Sequence, residues 1–535
     1  MSASNASGDN LCPHESTKDR PEVYEAPAQI SGDRQDTDCS DTDAPIATKR
    51  ALWGWLILCF STGPTSGMVN TYVTASIQSV ANAVGHIPGT NMPCARRGTI
   101  RCVVKLGGGK STTSVISISR ACEGVVSILT AGVADYSNYR KPMMMGSIYL
   151  FGVLALPFAG LTGSSYTHLN ALSTLYILLT VVSGMYSVIE GSYVPIFMRS
   201  AGWMDTPKRL NTAQNSLGDT EYRKAWIKGS RVSVLGMVSS NVGALVALLI
   251  GVIITYGRGS YVKEGYFNFL LAITIGGCLT IVFGVVGQIL LPTIPGKPRP
   301  KDKGLLLLPF QTWFILLGSI RHYPNAFKLC FGWILWYTGN SNFMSLLSAL
   351  FLEVTGIQRG SGVYTVNSFM MVIFACMGSL SWLLAFPYVR MYVKNWAYLF
   401  LGVNILCVFW GCLGISSNIP IGYKHQAEFW VCQFLFMSTS SALRSLNRVM
   451  FSSLIPKGSE ALYFGLEITL DLATGWVNPL VQGVIQNRTH NLRFPMIPDI
   501  LLMLAALALY VWTDLEQGIK DAATPLETSP LISEA

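Results

Sequence analysis

The sequence predicts an all-α membrane protein with twelve transmembrane helices in two six-helix bundles. Three observations predict it. Half of the 535 residues are hydrophobic and 13% are charged, whereas a soluble domain carries about 25% charged residues. Apolar runs recur along the chain at roughly the 20 residues that cross a bilayer core. The largest internal interruption, Pro292 to Asn325, follows the sixth run and sets Lys297, Arg299, Lys301 and Lys303 among prolines. The net charge of +9 is spread over loops, which suits a basic surface against anionic lipid and gives no sign of nucleic acid.

Residues 1–50 form a polar tail, rich in Ser, Thr, Asp and Pro, that cannot bury a core. It has no apolar centre of a secretory signal. The first span, Leu52 to Ser79, is interrupted by Ser61-Thr62-Gly63-Pro64-Thr65-Ser66-Gly67. Such a break marks either a packing kink or a wet, protein-lined segment that satisfies the freed backbone groups. The loop from Ala81 to Lys110 holds Cys94 and Cys102. If it faces an oxidising lumen, the two are close enough to form a disulfide. The same loop runs into Gly107-Gly108-Gly109-Lys110-Ser111-Thr112, which is not a nucleotide P-loop, because Val104 stands where that pattern needs its first Gly.

The second span, Ser111 to Ala134, carries Arg120 and Glu123. The third runs from Pro142 to Gly163, and the fourth, Leu169 to Met198, carries Glu190. The fifth starts at Gly229, with Gly236 and Gly243 on a stripe that allows close helix approach. The sixth runs from Tyr266 to Leu291, so residues 51–291 make the first bundle and 292–325 a linker. Within the linker Leu305 to Ile320 reads as an interfacial helix. Six more spans, near 326–352, 361–386, 396–415, 427–453, 461–486 and 496–513, make the second bundle, and a polar tail covers 514–535. Gly54-Trp55-Leu56-Ile57 in span 1 is echoed by Gly332-Trp333-Ile334-Leu335 in span 7, as in transporters built from repeats.

Lys and Arg concentrate in the two tails and the even-numbered loops, which puts both termini in the cytosol. The first loop, basic as well, runs against this rule. The sequon Asn487-Arg488-Thr489 then falls on the lumenal side as a glycosylation site, and Asn5-Ala6-Ser7 stays silent in the cytosol.

Arg120, Glu123, Glu190, Arg231, Arg444, Arg448, Glu467 and Asp471 lie in or near the spans. Each costs about 2.5–3.5 kcal/mol mid-membrane on insertion scales, so each needs an ion partner, a wet cavity or, for Arg231 and Arg448, a boundary position from which to snorkel. Arg444 and Arg448 share one face of span 10, and Glu467 and Asp471 one face of span 11, which invites pairing between the two helices. Arg120 and Glu123 are placed to neutralise each other. The same ions admit two readings, a charge-paired bundle or a path for a solute and protons. In the second, Glu123, Glu190, Glu467 and Asp471 are the candidate proton-coupling acids, with Arg444 and Arg448 beside a substrate carboxylate.

Between spans 2 and 3 stands Gly132-Val133-Ala134-Asp135-Tyr136-Ser137-Asn138-Tyr139-Arg140-Lys141. An acid at one helix end and two bases opening the next suit a tight cytosolic loop. This stretch resembles the loop signature of the major facilitator superfamily, in which it latches two helical bundles together. With Ser61 to Gly67, Glu190-Gly191-Ser192-Tyr193-Val194-Pro195-Ile196-Phe197-Met198-Arg199 and Leu454-Ile455-Pro456-Lys457-Gly458-Ser459-Glu460-Ala461-Leu462-Tyr463-Phe464-Gly465-Leu466, the chain resembles the fungal autophagy-related vacuolar amino-acid effluxers of that superfamily. The resemblance implies a vacuolar membrane location, a twelve-span fold and export of amino acids such as leucine from the lumen after autophagic breakdown. It implies a latch role for Asp135, Arg140 and Lys141, with Tyr139 departing from the Gly common in the signature.

A membrane sensor or scaffold that uses the fold without transport is the competing reading. An enzyme is disfavoured, since there is no Gly-x-Ser-x-Gly elbow, no metal spacing among the histidines and nothing that calls for a cofactor. The implied partners are amino acids, protons and membrane lipid.

Overall fold

In a bilayer each backbone N–H and C=O must find its partner inside the protein, which leaves helices as the spanning element of a chain without a closed sheet. The computed structural model describes residues 49–85, 112–163, 165–200, 216–257, 265–298, 308–357, 362–416, 418–475, 477–489 and 491–523. All lie within one compact unit, Pro45–Ala535. The described residues are helical, with one isolated bridge between Tyr136 and Lys297.

In chain order, α1 (Lys49–Met68) continues through a π turn (Val69–Val73) into α2 (Thr74–Val84). Then come α3 (Thr112–Ala134), α4 (Arg140–Ala155) with a 3-10 turn to Gly160, and α5 (Tyr166–Met198). α6 (Ser216–Gly257) and α7 (Gly265–Leu290) complete the first half. After the short α8 (Leu308–Gly318) follow α9 (Pro324–Thr355), α10 (Gly362–Ala385), α11 (Val393–Leu413) and α12 (Gln426–Ser453). The chain closes with α13 (Glu460–Gly475), α14 (Val477–Thr489), α15 (Met496–Trp512) and α16 (Leu515–Ala523).

Taken with their breaks, the described helices make twelve spans in the expected order. Six, at 140–160, 166–198, 222–257, 267–290, 363–385 and 393–413, are long and apolar enough by themselves to cross a membrane. The others carry more polar residues and bury them against protein, as α12 does with Ser440, Ser445 and Asn447.

Helix ends follow ordinary capping chemistry. The Ser165 hydroxyl accepts from His168 N at the start of α5. His425 and Glu428 form a capping box on α12, and Glu428 also accepts the N–H groups of Gly422 and Tyr423, at 2.8 Å each. α9 opens with a proline and stops at Gly356, whose φ of 67° ends the helix in the left-handed region glycine tolerates.

Three expectations are corrected. Ser61 to Gly67 is not a break, because α1 runs through it. Pro64 lacks an N–H and orphans the Phe60 carbonyl, and the backbone of Gly243 on α6 packs against that carbonyl. A Cβ on Gly63 would stand 2.7 Å from Ala244 N, so this is the close packing seam of α1 and α6. The helix of the fifth span starts at Ser216, ahead of the expected Gly229: the polar lead-in is helical because Trp226 is buried and Arg223 donates to the carbonyls of Phe386, Pro387 and Val389 at the end of α10. Residues 515–523 are a docked helix rather than tail, anchored by buried Leu515 and Ile519 and by Asp514 N donating to Asn325 Oδ1 at 3.0 Å.

α8 falls within the Leu305–Ile320 stretch expected to be an interfacial helix. It buries Leu308 and Leu316 and leaves Phe310 and Phe314 exposed, with the Trp313 indole donating to Ile128 O on α3. The two halves meet where α3 packs on α13, α6 on α10, and α5 on both α12 and α13.

Candidate functional site

Two constellations of charge join the halves. The first lies at the α3–α4 turn. Asp135 accepts from Arg140 Nη2 at 2.6 Å and from the backbone N–H groups of Ala461 and Leu462 at 2.9 and 3.0 Å. A carboxylate of the first half thus caps the first turn of α13 in the second, where orphan N–H groups and the helix dipole favour negative charge. Glu460 accepts from Arg140 at 3.3 Å, from Gly458 N at 2.9 Å and from Arg199. Arg199 also reaches Ile455 O. Asp135, Arg140 and Glu460 are all buried.

The turn into α13 is set by Gly458, whose φ of 83° an L side chain rarely adopts. Lys297, from the segment after α7, donates to Ser459 at 3.0 Å, and its backbone ties to the α3–α4 turn through Lys297 N to Asp135 O at 2.9 Å. Lys141, expected in the latch, turns instead to the Leu291 carbonyl of its own half, as a cation at a helix C-terminus does. Burial pushes the Asp135 carboxyl up against the pull of Arg140, and Glu460 adds to the rise. Two carboxylates share Arg140, and Glu460 has Arg199 as well, so Asp135 is the one to take a proton first.

The second constellation lies within the spans. Arg448 Nη2 on α12 stands 3.6 Å from Glu190 Oε1 on α5, with both side chains largely buried. Arg448 also contacts Met237 Sδ on α6 at 3.2 Å, and the Cys59 thiol on α1 lies beside Glu190. Tyr186, one turn before Glu190, lies beside Ser66 and within electrostatic reach of both Glu190 and Glu123. Glu123 fits because residue 184 is glycine: a Cβ there would stand 2.6 Å from Glu123 Cγ.

The predicted ions therefore regroup. Glu190 pairs with Arg448, and Glu190 and Glu123 both lie within electrostatic reach of Tyr186. Arg444 diverges from Arg448 and lies over the Tyr337 ring on α9, 5.1 Å from its centroid. Glu467 sits within electrostatic reach of Cys330 and Tyr510 inside the second half. For Arg448 the structure adds a partner from the other half that was not expected. The reason is that α5 crosses α12 there, which no spacing along one helix reports. Arg231 is exposed. The side chains of Arg120, Asp471 and Asn487, and all of Cys94 and Cys102, lie outside the described residues.

Sequence reasoning passed over Glu460 and Arg199 as latch residues, and Arg223 as a tie between α6 and the end of α10. An acid opening a helix and arginines in a basic loop are ordinary by themselves. A cavity of about 280 Å³ opens between α10, α11 and α12, lined by Trp382, Trp396, Phe400 and Phe434 among others. No ionisable side chain lines it, so it is separate from both constellations. Among the described residues no cluster of three His, Cys, Asp or Glu is placed to hold a metal.

Comparison with known proteins accords with this geometry. The chain is 42% identical over 509 residues to autophagy-related protein 22 of Candida albicans, covering 94% of this chain and 96% of that one. It is 22% identical over 514 residues to autophagy-related protein 22 of Saccharomyces cerevisiae, covering 88% and 92%. Among solved structures it resembles the major facilitator superfamily transporter FucP in an outward conformation, with a TM-score of 0.54, 11% identity and coverage of 88% and 99%. It also resembles the proton:xylose symporter XylE, with a TM-score of 0.57, 10% identity and coverage of 87% and 96%. These two likenesses show the major facilitator superfamily fold. The family model "Vacuole effluxer Atg22 like" matches residues 47–523, and the chain belongs to that family of membrane transporters.

Proposed function

We propose that this protein exports amino acids, leucine among them, from the vacuole lumen to the cytosol after autophagic degradation, by alternating access coupled to protons. One observation carries the reading: the Glu190–Arg448 pair joins the two halves inside the membrane at 3.6 Å. It is the kind of contact that opens when two bundles rock apart. Ions kept at insertion cost between moving bundles serve a solute path. The family name supports the vacuole and the direction of flux.

In this reading Glu190 and Glu123 are the acids nearest the path, and Arg448 offers a guanidinium to a substrate carboxylate. Arg444 and Glu467 belong to its second-half side. Asp135 and Arg140, with Glu460 and Arg199, close the cytosolic end. Both termini face the cytosol, the Cys94–Cys102 disulfide and a glycan on Asn487 face the lumen, and lipid surrounds the spans.

The test is uptake of labelled leucine, arginine and tyrosine into proteoliposomes, with and without a pH gradient. Gradient-sensitive uptake that Arg448→Gln abolishes, in a variant that stays folded, is the expected result. Absence of flux for all three solutes would leave the scaffold reading in its place.

A further inference from the structure

One buried carboxylate plays no part in either constellation. Asp499 is fully buried in the first turn of α15. Its oxygens accept from Asn478 Nδ2 at 2.7 Å and from Gln482 Nε2 at 2.8 and 2.9 Å. Asn478 and Gln482 are i,i+4 on α14 and are themselves buried. Among the described residues no Lys, Arg or His nitrogen lies within ion-pair distance of Asp499.

The elements packed around it offer no counter-charge. From α9 the backbone of Gly339 faces it, where an added Cβ would lie 3.3 Å from Asp499 O. From α11 the Cys412 thiol is within electrostatic reach. Arg493, in the preceding loop, is committed to the carbonyls of Gly422 and Tyr423 at 3.0 and 2.9 Å.

A structural buried acid is normally paired with a cation, because an isolated charge in apolar surroundings is the costliest group to bury. Here two neutral amides and a helix N-terminus stand in for the cation. They stabilise the anion in part, while burial favours the neutral acid. With amides in place of a cation, nothing among the described residues fixes the carboxyl as an anion, as the partner in a structural ion pair would. The amides also supply a readout. Gln482 Nε2 additionally donates to Pro495 O at 3.3 Å, in the residue before α15. When a proton adds to a carboxylate oxygen and forms an O–H, the acid needs an acceptor. The Gln482 amide supplies one by turning its oxygen toward Asp499, and its bond to Pro495 is then lost. Charge on one carboxyl is thereby linked to how α15 is held at its start, and α15 packs along α9 and α11.

We propose that Asp499, held by Asn478 and Gln482, is a proton-binding site, loaded from the membrane side opposite the Asp135 latch, that couples protons to the transport cycle. The coupling role rests on the proposed transport function, whereas proton binding does not. Two measurements keep them apart. Infrared difference spectra of the full-length protein in nanodiscs, taken across pH steps, should show the C=O stretch of a protonated carboxyl that titrates in the wild type and is missing in Asp499→Asn, a variant that retains the amide contacts. Gln482→Ala removes a donor to the anion and should move the midpoint of that band to higher pH. In proteoliposomes Asp499→Asn should retain leucine flux and lose its response to a pH gradient.

An unchanged set of titrating bands in Asp499→Asn overturns the proposal, as does a site that responds to sodium at constant pH in place of protons. An unchanged gradient response with the band removed overturns the coupling role. Should no solute move at all, the transport reading falls and the infrared result still decides the proton site. Should Asp499→Asn fail to fold, the Gln482→Ala midpoint decides it.

Discussion

The latch and the intramembrane pair both link the first six helices to the last six, yet they are built differently. At the latch, two carboxylates and two guanidiniums are cross-bonded, and three backbone N–H groups from residues 458–462 complete the acceptors. At Glu190 and Arg448 the nitrogen–oxygen distance is 3.6 Å and, among the described residues, a thiol and a thioether stand beside them, both weak hydrogen-bonding groups. The first arrangement satisfies its charges and holds one state. The second leaves capacity unused, which a ligand carboxylate or water can take up. A buried ion is thus a lock or a site according to how completely its neighbours satisfy it.

The comparison breaks most visibly at Glu460. Glu460→Ala strips Arg199 and Arg140 of a shared partner in a buried setting, where breaking an ion pair costs about 3–5 kcal/mol. Thermal unfolding of the purified protein should show a larger loss for Glu460→Ala than for Asp135→Asn or Glu190→Gln. A melting temperature within error of the wild type would mean that the latch does not hold the halves together.

Asp135→Asn is milder. Arg140 keeps Glu460, but an amide has one acceptor oxygen where the carboxylate has two, so one of the Ala461 and Leu462 N–H groups loses its partner at about 1–3 kcal/mol. This variant also tests the pH sign. The Asp135 carboxyl is raised by burial in the fold, so the folded state binds its proton more readily than the unfolded chain does. Its contribution is therefore fully present below the ordinary carboxyl range and is lost as pH rises through the raised value. Stability measured against pH should fall across that window in the wild type and be flatter in Asp135→Asn.

The fold was legible because a bilayer makes span length and apolarity nearly sufficient evidence. What the sequence obscured was helix whose reason is tertiary. Residues 216–228 are too polar to read as a span, but Trp226 and Arg223 give them something to pack on and cap. Residues 515–523 carry only Leu515 and Ile519 as anchors. At the site, composition marked Glu123, Glu190 and Arg448 as costly ions, while their partners depended on which helices cross. Asp499 stayed hidden because an acid near the end of an apolar run reads as a boundary residue, and its partners are amides, which charge counting does not see.

The smallest expected stability effect is also the sharpest test. If Glu190 and Arg448 formed a dry structural pair, Glu190→Gln would abandon a buried guanidinium and cost about 3–5 kcal/mol. If they border a wet path between the bundles, water takes over the solvation of Arg448, and the loss should stay below about 1 kcal/mol, as at exposed ion pairs. The two arrangements differ little in geometry and strongly in this number, because the cost lies in desolvation rather than in the contact itself. A near-native unfolding curve together with loss of leucine flux is the outcome the transport path requires. A collapse in stability would make the pair a second lock, and the solute path would then have to run elsewhere.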